Sequence, residues 1–209
     1  DGWEGTLEAA AQYQQFPFER WKPGEVAARS GSKQHLAGIF EPGTASVQPA
    51  ALARGLRQVA LAKGVRIFEN TPLTRLGDGA KPEIATPKGR VKADKVVLAL
   101  NAWGIRFQPI RRAIVVVSSD IAVTEAMPER LDEIGWRDGM TISDGRMLVH
   151  YYHTTRDGRI VFGKGGMNGS LPYGGNVGAK LDGPSPLGED LGKWLSWTYP
   201  ELGAVRIAG

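Results

Sequence analysis

The spacing of apolar positions changes period along this chain, and that change divides it into regions of different character. Near the start, Leu7, Ala10 and Ala11 give a weak helical pattern, which runs into an aromatic segment at 16–21 that Pro17 and Pro23 keep from becoming a long helix. A short helix is predicted at 25–29, a short strand at 36–40 and a turn at 41–44. Pro49 then opens the clearest helix, with Leu52, Leu56, Val59 and Ala60 on one apolar stripe, and Gly64 follows where such a helix should stop. Residues 65–70 alternate apolar and polar and predict a strand. Pro72 interrupts the pattern before it resumes at 73–76.

Turns at 77–79 and 87–89 bracket a strand at 83–86, and residues 90–95 feed the run Val96-Val97-Leu98-Ala99-Leu100. An unbroken apolar run of this length suits a strand covered on both faces, as in a parallel sheet, and predicts an α/β layer. The second half is patterned for antiparallel pairing. A long β-branched strand is expected at 113–124, then a linker through Trp136, then strands at 140–143, 147–154 and 159–162. These last three are punctuated by Asp144-Gly145-Arg146 and Asp157-Gly158-Arg159, and Asp-Gly between alternating segments is a strong hairpin signal. Residues 163–183 are rich in Gly and Pro and read as loop. A final helix carrying Leu187, Leu191, Trp194 and Leu195 must end before Pro200. The predicted fold class is α/β plus α+β.

Composition narrows the chemistry. The 209 residues are 42% hydrophobic and 23% charged, which excludes a disordered or collagen-like chain. Cysteine is absent, which removes disulfides, thiolate metal sites and thiol nucleophiles and favours a reducing cytoplasm. The longest apolar runs, 96–100 and 113–117, fall far short of the roughly 18 to 20 residues of a membrane-spanning helix, so a soluble protein without a membrane partner is expected. The opening Asp1-Gly2-Trp3-Glu4 has neither an initiator Met nor a signal-peptide pattern, and is expected to follow a segment that has been removed. The net charge is +4, but the basic residues are dispersed among 22 acidic ones, so no nucleic-acid footprint is read.

Neither zincin spacing among His35, His150 and His153 nor a Gly-x-Ser-x-Gly elbow occurs, so no metal and no serine hydrolase is predicted. The glycine cluster at 163–169 follows a predicted strand, but turn-forming residues stand where a phosphate-binding loop would lead into a helix. It reads as a loop. His150-Tyr151-Tyr152-His153 is more informative, because strand alternation places a Tyr and a His side by side on each face. Two readings stay open at this point: sheet residues chosen for packing, or a polar site on one face.

The order of several motifs adds a further expectation. Ser46-Val47-Gln48-Pro49-Ala50, a helix ending in Lys63-Gly64-Val65, the segment Glu69-Asn70-Thr71-Pro72-Leu73 and the run from Asp94 through Val96 and Leu100 to Asn101-Ala102-Trp103 resemble the middle of flavin-dependent amine and amino-acid oxidoreductases. This is the D-amino-acid oxidase, glycine oxidase and sarcosine oxidase group. The Tyr-Tyr strand followed by Arg156-Asp157-Gly158-Arg159-Ile160-Val161-Phe162-Gly163 is similar to γ-glutamylputrescine oxidoreductase relatives.

The resemblance covers residues 20–209 and implies a partial FAD-binding α/β layer with a mainly antiparallel substrate-domain sheet. Residues 1–48 would start the substrate domain, 49–104 would be FAD-binding, and 105–209 would be the antiparallel substrate domain. It also implies cofactor contacts from Leu73, Ala99, Asn101, Ala102 and Trp103, with Asn101 where the family usually has Gly. Tyr151 would contact an amine or amino-acid substrate, with His150, Tyr152 and His153 as further contacts and His153 where relatives often carry Arg.

The implied reaction takes hydride from the carbon bearing the amine, yielding an imine, with oxygen reoxidising the flavin. The family's opening Gly-x-Gly-x-x-Gly unit and its closing flavin-contacting segment are not in this sequence, which implies a fragment that lacks parts of its own polypeptide and holds FAD weakly if at all. The competing expectation is a non-catalytic binding module using the glycine-rich surface at 163–183. An NAD-linked enzyme is a third, and its fingerprint is missing too.

Overall fold

A computed structural model describes residues 3–13, 18–77, 79, 81–117, 119–136, 138–146, 149–165 and 188–208. In chain order the elements are α1 (Glu4–Gln12), β1 (Glu19–Trp21), α2 (Pro23–Ser30), β2 (Gly38–Phe40), α3 (Pro49–Ala62), β3 (Arg75–Leu76), β4 (Glu83–Thr86), β5 (Gly89–Lys92), a 3-10 turn (Asn101–Arg106), α4 (Gln108–Arg111), β6 (Ser119–Val123), α5 (Pro128–Glu133), β7 (Ile142–Ser143), β8 (His150–Thr154), β9 (Ile160–Gly165) and α6 (Gly188–Thr198). The chain divides into two compact units, one of Asp1–Ser46 with Val115–Gly209, the other of Val47–Ile114. The fold class is mixed α/β with antiparallel sheets, as predicted.

The first unit is built on a four-stranded antiparallel sheet in the order β6-β9-β8-β7. Both Asp-Gly signals form the expected hairpins for identifiable reasons. The Asp144 carboxylate accepts hydrogen bonds from the backbone N–H of Arg146 and of His150, which closes the β7–β8 turn. At the β8–β9 turn Gly158 sits at φ 76°, and any Cβ there would lie 2.8 Å from Pro128. Helix α6 lays Leu191 and Leu195 on one sheet face, where they join Trp136, Ile160, Phe162 and Tyr199 in a core of fully buried side chains. Removing each such aliphatic side chain from water is worth about 1.5–3 kcal/mol. Residue Leu187 of the predicted helix lies outside the described residues.

Three expectations for this unit are corrected. The strand predicted over 113–124 forms its ladder only over Ser119–Val123. Residues 125–136 are no linker: Pro128 starts α5, Gly135 at φ 82° follows its end, and Met127, Leu131 and Trp136 enter the core. The spacing of Met127 and Leu131 was the missed signal, because four residues is one helical turn. Gly163, Lys164 and Gly165 belong to β9 rather than to a loop, since β6 needs a partner along its full length. The rest of the predicted loop, 166–183, lies outside the described residues.

In the second unit α3 forms where predicted. Pro49 occupies its first turn, the Gln48 side chain accepts a hydrogen bond from the Ala51 N–H at 2.5 Å, and Gly64 follows its end at φ 82°. Its stripe of Leu52, Leu56 and Val59 is exposed. Strands β3, β4 and β5 make a small antiparallel sheet. The strands predicted at 65–70 and 96–100 have no ladder among the described residues, and Val97 is 88% exposed. Alternation sets which side chains could share a face but supplies no neighbour, and a strand exists only as a hydrogen-bonded partner of another. Among the described residues no helix is long and apolar enough to cross a membrane.

Candidate functional site

Strand β8 presents its five residues alternately to the two faces of the sheet. His150, Tyr152 and Thr154 point into the core beneath α6, whereas Tyr151 and His153 occupy the opposite, half-open face. The four candidate residues of this strand are therefore two pairs serving different surroundings.

On the core face Tyr152 stacks on Phe162 with ring centroids 5.0 Å apart, and its hydroxyl is 2.6 Å from His35 Nε2. His35 Nδ1 lies 3.0 Å from Ser30 Oγ. Burial raises the Tyr152 phenol above its ordinary range and lowers His35, so both are held neutral. His150 Nδ1 is 2.6 Å from a guanidinium nitrogen of Arg146 and 3.3 Å from the Asp144 carboxylate. A guanidinium can only donate, so Nδ1 accepts and the ring is neutral with its proton on Nε2. Its lowered pKa agrees: burial is the main cause, Arg146 and Lys164 add to it, and Asp144 and Asp190 oppose it. Close by, Lys164 donates to Asp190 at 2.6 Å and Arg146 lies over the Trp194 ring. Every one of these groups is engaged, and together they fix the β7–β8 hairpin and α6 to the sheet.

On the open face Tyr151 lies across the sheet toward β6. Its cross-strand partner in β9 is Gly163, and a Cβ at Gly163 would fall 2.2 Å from the Tyr151 ring. Only glycine leaves room for the ring to lie down on the strand. The ring then reaches over β9 and brings its hydroxyl within 2.6 Å of Ser119 Oγ on β6. Ser119 in turn donates to the Lys164 carbonyl at 3.2 Å. His153 stands two residues along the same face, half-buried, with its pKa lowered by burial. Ser119 was not among the residues singled out from the sequence. Nothing local marks it, because its link to Tyr151 exists only once β9 separates β6 from β8.

The remaining candidates, Leu73, Ala99, Asn101, Ala102 and Trp103, belong to the second unit. Leu73 and Ala102 are half-buried, while Ala99, Asn101 and Trp103 are exposed. Asn101 sits at φ 47°, in the left-handed region that Gly adopts freely and that Asn tolerates better than most side chains. The turn that leads from 96–100 into the 3-10 segment is thus made without glycine. Within the 3-10 segment itself Gly104 is buried against α4, where a Cβ would press within 3.2 Å of Ile110. These residues offer apolar side chains and a tight backbone turn. The donor-rich Gly-x-Gly-x-x-Gly turn that would hold a pyrophosphate is not in the sequence.

Comparison with known proteins gives this geometry its context. The family model of FAD-dependent oxidoreductases of the D-amino-acid oxidase type matches residues 1–207, and the chain belongs to that family. It is 27% identical over 188 residues to a probable oxidoreductase, OrdL, of Rhizobium meliloti, a match spanning 88% of this chain and 40% of the relative. It is also 24% identical over 178 residues to the gamma-glutamylputrescine oxidoreductase of Escherichia coli, covering 84% of this chain and 39% of that protein. Glycine oxidase from Geobacillus kaustophilus shares the fold, with a TM-score of 0.66 at 17% identity over 95% of this chain and 50% of its own. The chain thus spans about two fifths of the length of these curated relatives.

Proposed function

We propose that this chain supplies the substrate-binding sheet and part of the FAD-binding domain of an oxidoreductase that converts an amine or amino acid to an imine, with oxygen as electron acceptor. Bound FAD would take up the hydride from the carbon that bears the amine. The chain's own contribution is to bind and orient. Tyr151 positions the substrate nitrogen from the open face of the sheet, and His153, neutral near pH 7, lines the same surface without adding charge. Leu73, Ala99, Asn101, Ala102 and Trp103 would lie against the cofactor. His150 and Tyr152 act from the core face, by holding the strand that carries Tyr151. The cysteine-free composition supports a cytoplasmic location.

The observation that carries this reading is the placement of Tyr151. An aromatic hydroxyl is laid flat on an open sheet face by a glycine that accepts no side chain, and the sheet belongs to a family of FAD-dependent oxidoreductases. The test is Tyr151→Phe in the full-length, FAD-loaded protein. Loss of one hydrogen bond of about 1–1.5 kcal/mol should lower kcat/KM for amine oxidation by roughly tenfold. Unchanged kcat and KM would remove Tyr151 from the site.

A further inference from the structure

Resting on the proposed amine oxidation, we infer that Ser119 is a specificity-determining residue: its Oγ accepts the hydrogen bond of the Tyr151 hydroxyl, so that Tyr151 faces the substrate as a hydrogen-bond acceptor and selects an amine nitrogen rather than a carboxylate. Ser119 has one hydroxyl hydrogen and makes two contacts, to the Lys164 carbonyl at 3.2 Å and to the Tyr151 hydroxyl at 2.6 Å. A carbonyl only accepts, so the serine hydrogen is committed to Lys164 O. The 2.6 Å contact is then a hydrogen bond only if the Tyr151 O–H donates into Ser119 Oγ. That leaves the phenol oxygen with lone pairs and no proton to offer.

The geometry holds this polarity in place. The ring cannot swing back over β9, because it already rests on Gly163. Among the described strand residues of this face, none supplies a charged partner for a carboxylate. The strand residues beside Tyr151 on this face are Ser143, directly opposite on β7, and the aliphatic Ile121 and Val161, and His153 is half-buried and neutral near pH 7. Lys164, adjacent to Gly163 in sequence, points to the other face and is paired with Asp190 at 2.6 Å. Among the described strand residues of the open face, none brings a formal positive charge. A carboxylate brought against these described strand residues would meet the Tyr151 lone pairs with no cation among them, whereas an amine or ammonium N–H meets an acceptor.

The inference is tested with two simple ligands, n-butylamine and pentanoate, titrated calorimetrically into the full-length, FAD-loaded protein. The wild type should bind butylamine about tenfold or more tighter than pentanoate, the factor expected of one well-placed hydrogen bond. Ser119→Ala frees the phenol proton and should shrink that ratio several-fold. Ser119→Thr, which restores a hydroxyl, should return it, a rescue that a merely structural role for Ser119 would not produce. Equal or tighter binding of pentanoate, a ratio unmoved in Ser119→Ala, or no binding of either ligand would overturn the inference. The outcome is separable from the proposed function. Anaerobic flavin reduction by 2-aminopentanoate together with a pentanoate preference would leave the oxidoreductase standing and discard the role of Ser119; intact butylamine preference without flavin reduction by any amine would do the reverse.

Discussion

Gly163 decides where Tyr151 can lie. With a Cβ placed 2.2 Å from the ring, Gly163→Ala must either displace Tyr151 or bend β9. We expect a loss of about 1–3 kcal/mol in stability, the usual cost of overpacking, measured by denaturant unfolding of the full-length protein. Pairing it with Tyr151→Ala should recover most of that loss, and a purely additive double variant would contradict the contact. The core-face histidines make a second prediction. Burial holds His35 and His150 below their ordinary 6.5 in the folded chain, so on acidification the unfolded chain takes up protons before the folded one does. Their contribution is complete above the unfolded value and is lost as pH falls through 6.5 toward the lower folded values. Stability should therefore drop as pH falls below 6.5, and His35→Gln should flatten that drop; an equal slope in wild type and variant would count against a buried neutral His35. At this scale the sequence was readable where alternation alone decides, as in the opposite faces of Tyr151 and Tyr152. It was silent on Ser119, whose partner lies two strands away.

Helix α6 is tied to the sheet by two kinds of contact, the apolar pair Leu191 and Leu195 and the ion pair between Asp190 and Lys164. Lys164 is almost fully buried while Asp190 is about a third exposed. Asp190→Ala strands the ammonium beneath the helix and should cost about 2–3 kcal/mol, less than the roughly 3–5 kcal/mol of a fully buried pair. Replacing both partners, as Lys164→Met with Asp190→Leu, should restore most of it, because an apolar pair leaves no charge to desolvate. Thermal unfolding of the three proteins checks this, and a double variant no better than Asp190→Ala would refute it. Elements with local punctuation were legible: both hairpins announced themselves through Asp-Gly, and α3 through Pro49 and Gly64. Elements that depend on a remote partner were not. The expected strands at 65–70 and 96–100 lack ladders among the described residues, and α5 was hidden because six residues carry too little periodicity to stand out from a linker.

At the scale of the molecule, an antiparallel sheet with one face filled and the other open belongs to a family whose members use FAD. The first unit completes its core from its own side chains. The second leaves Leu52, Leu56, Val97 and Trp103 exposed. The family was legible in the sequence because several short motifs occur in a fixed order, although each alone is common. The central claim, that Tyr151 on the open face serves flavin-dependent amine oxidation, is tested most directly by mixing the full-length protein with a primary amine in the absence of oxygen and following the visible flavin absorbance. The account predicts bleaching of the flavin that slows markedly in Tyr151→Phe, with colour returning when oxygen is admitted. A full-length protein that carries no flavin, or whose flavin is reduced by neither amines nor amino acids, would contradict it.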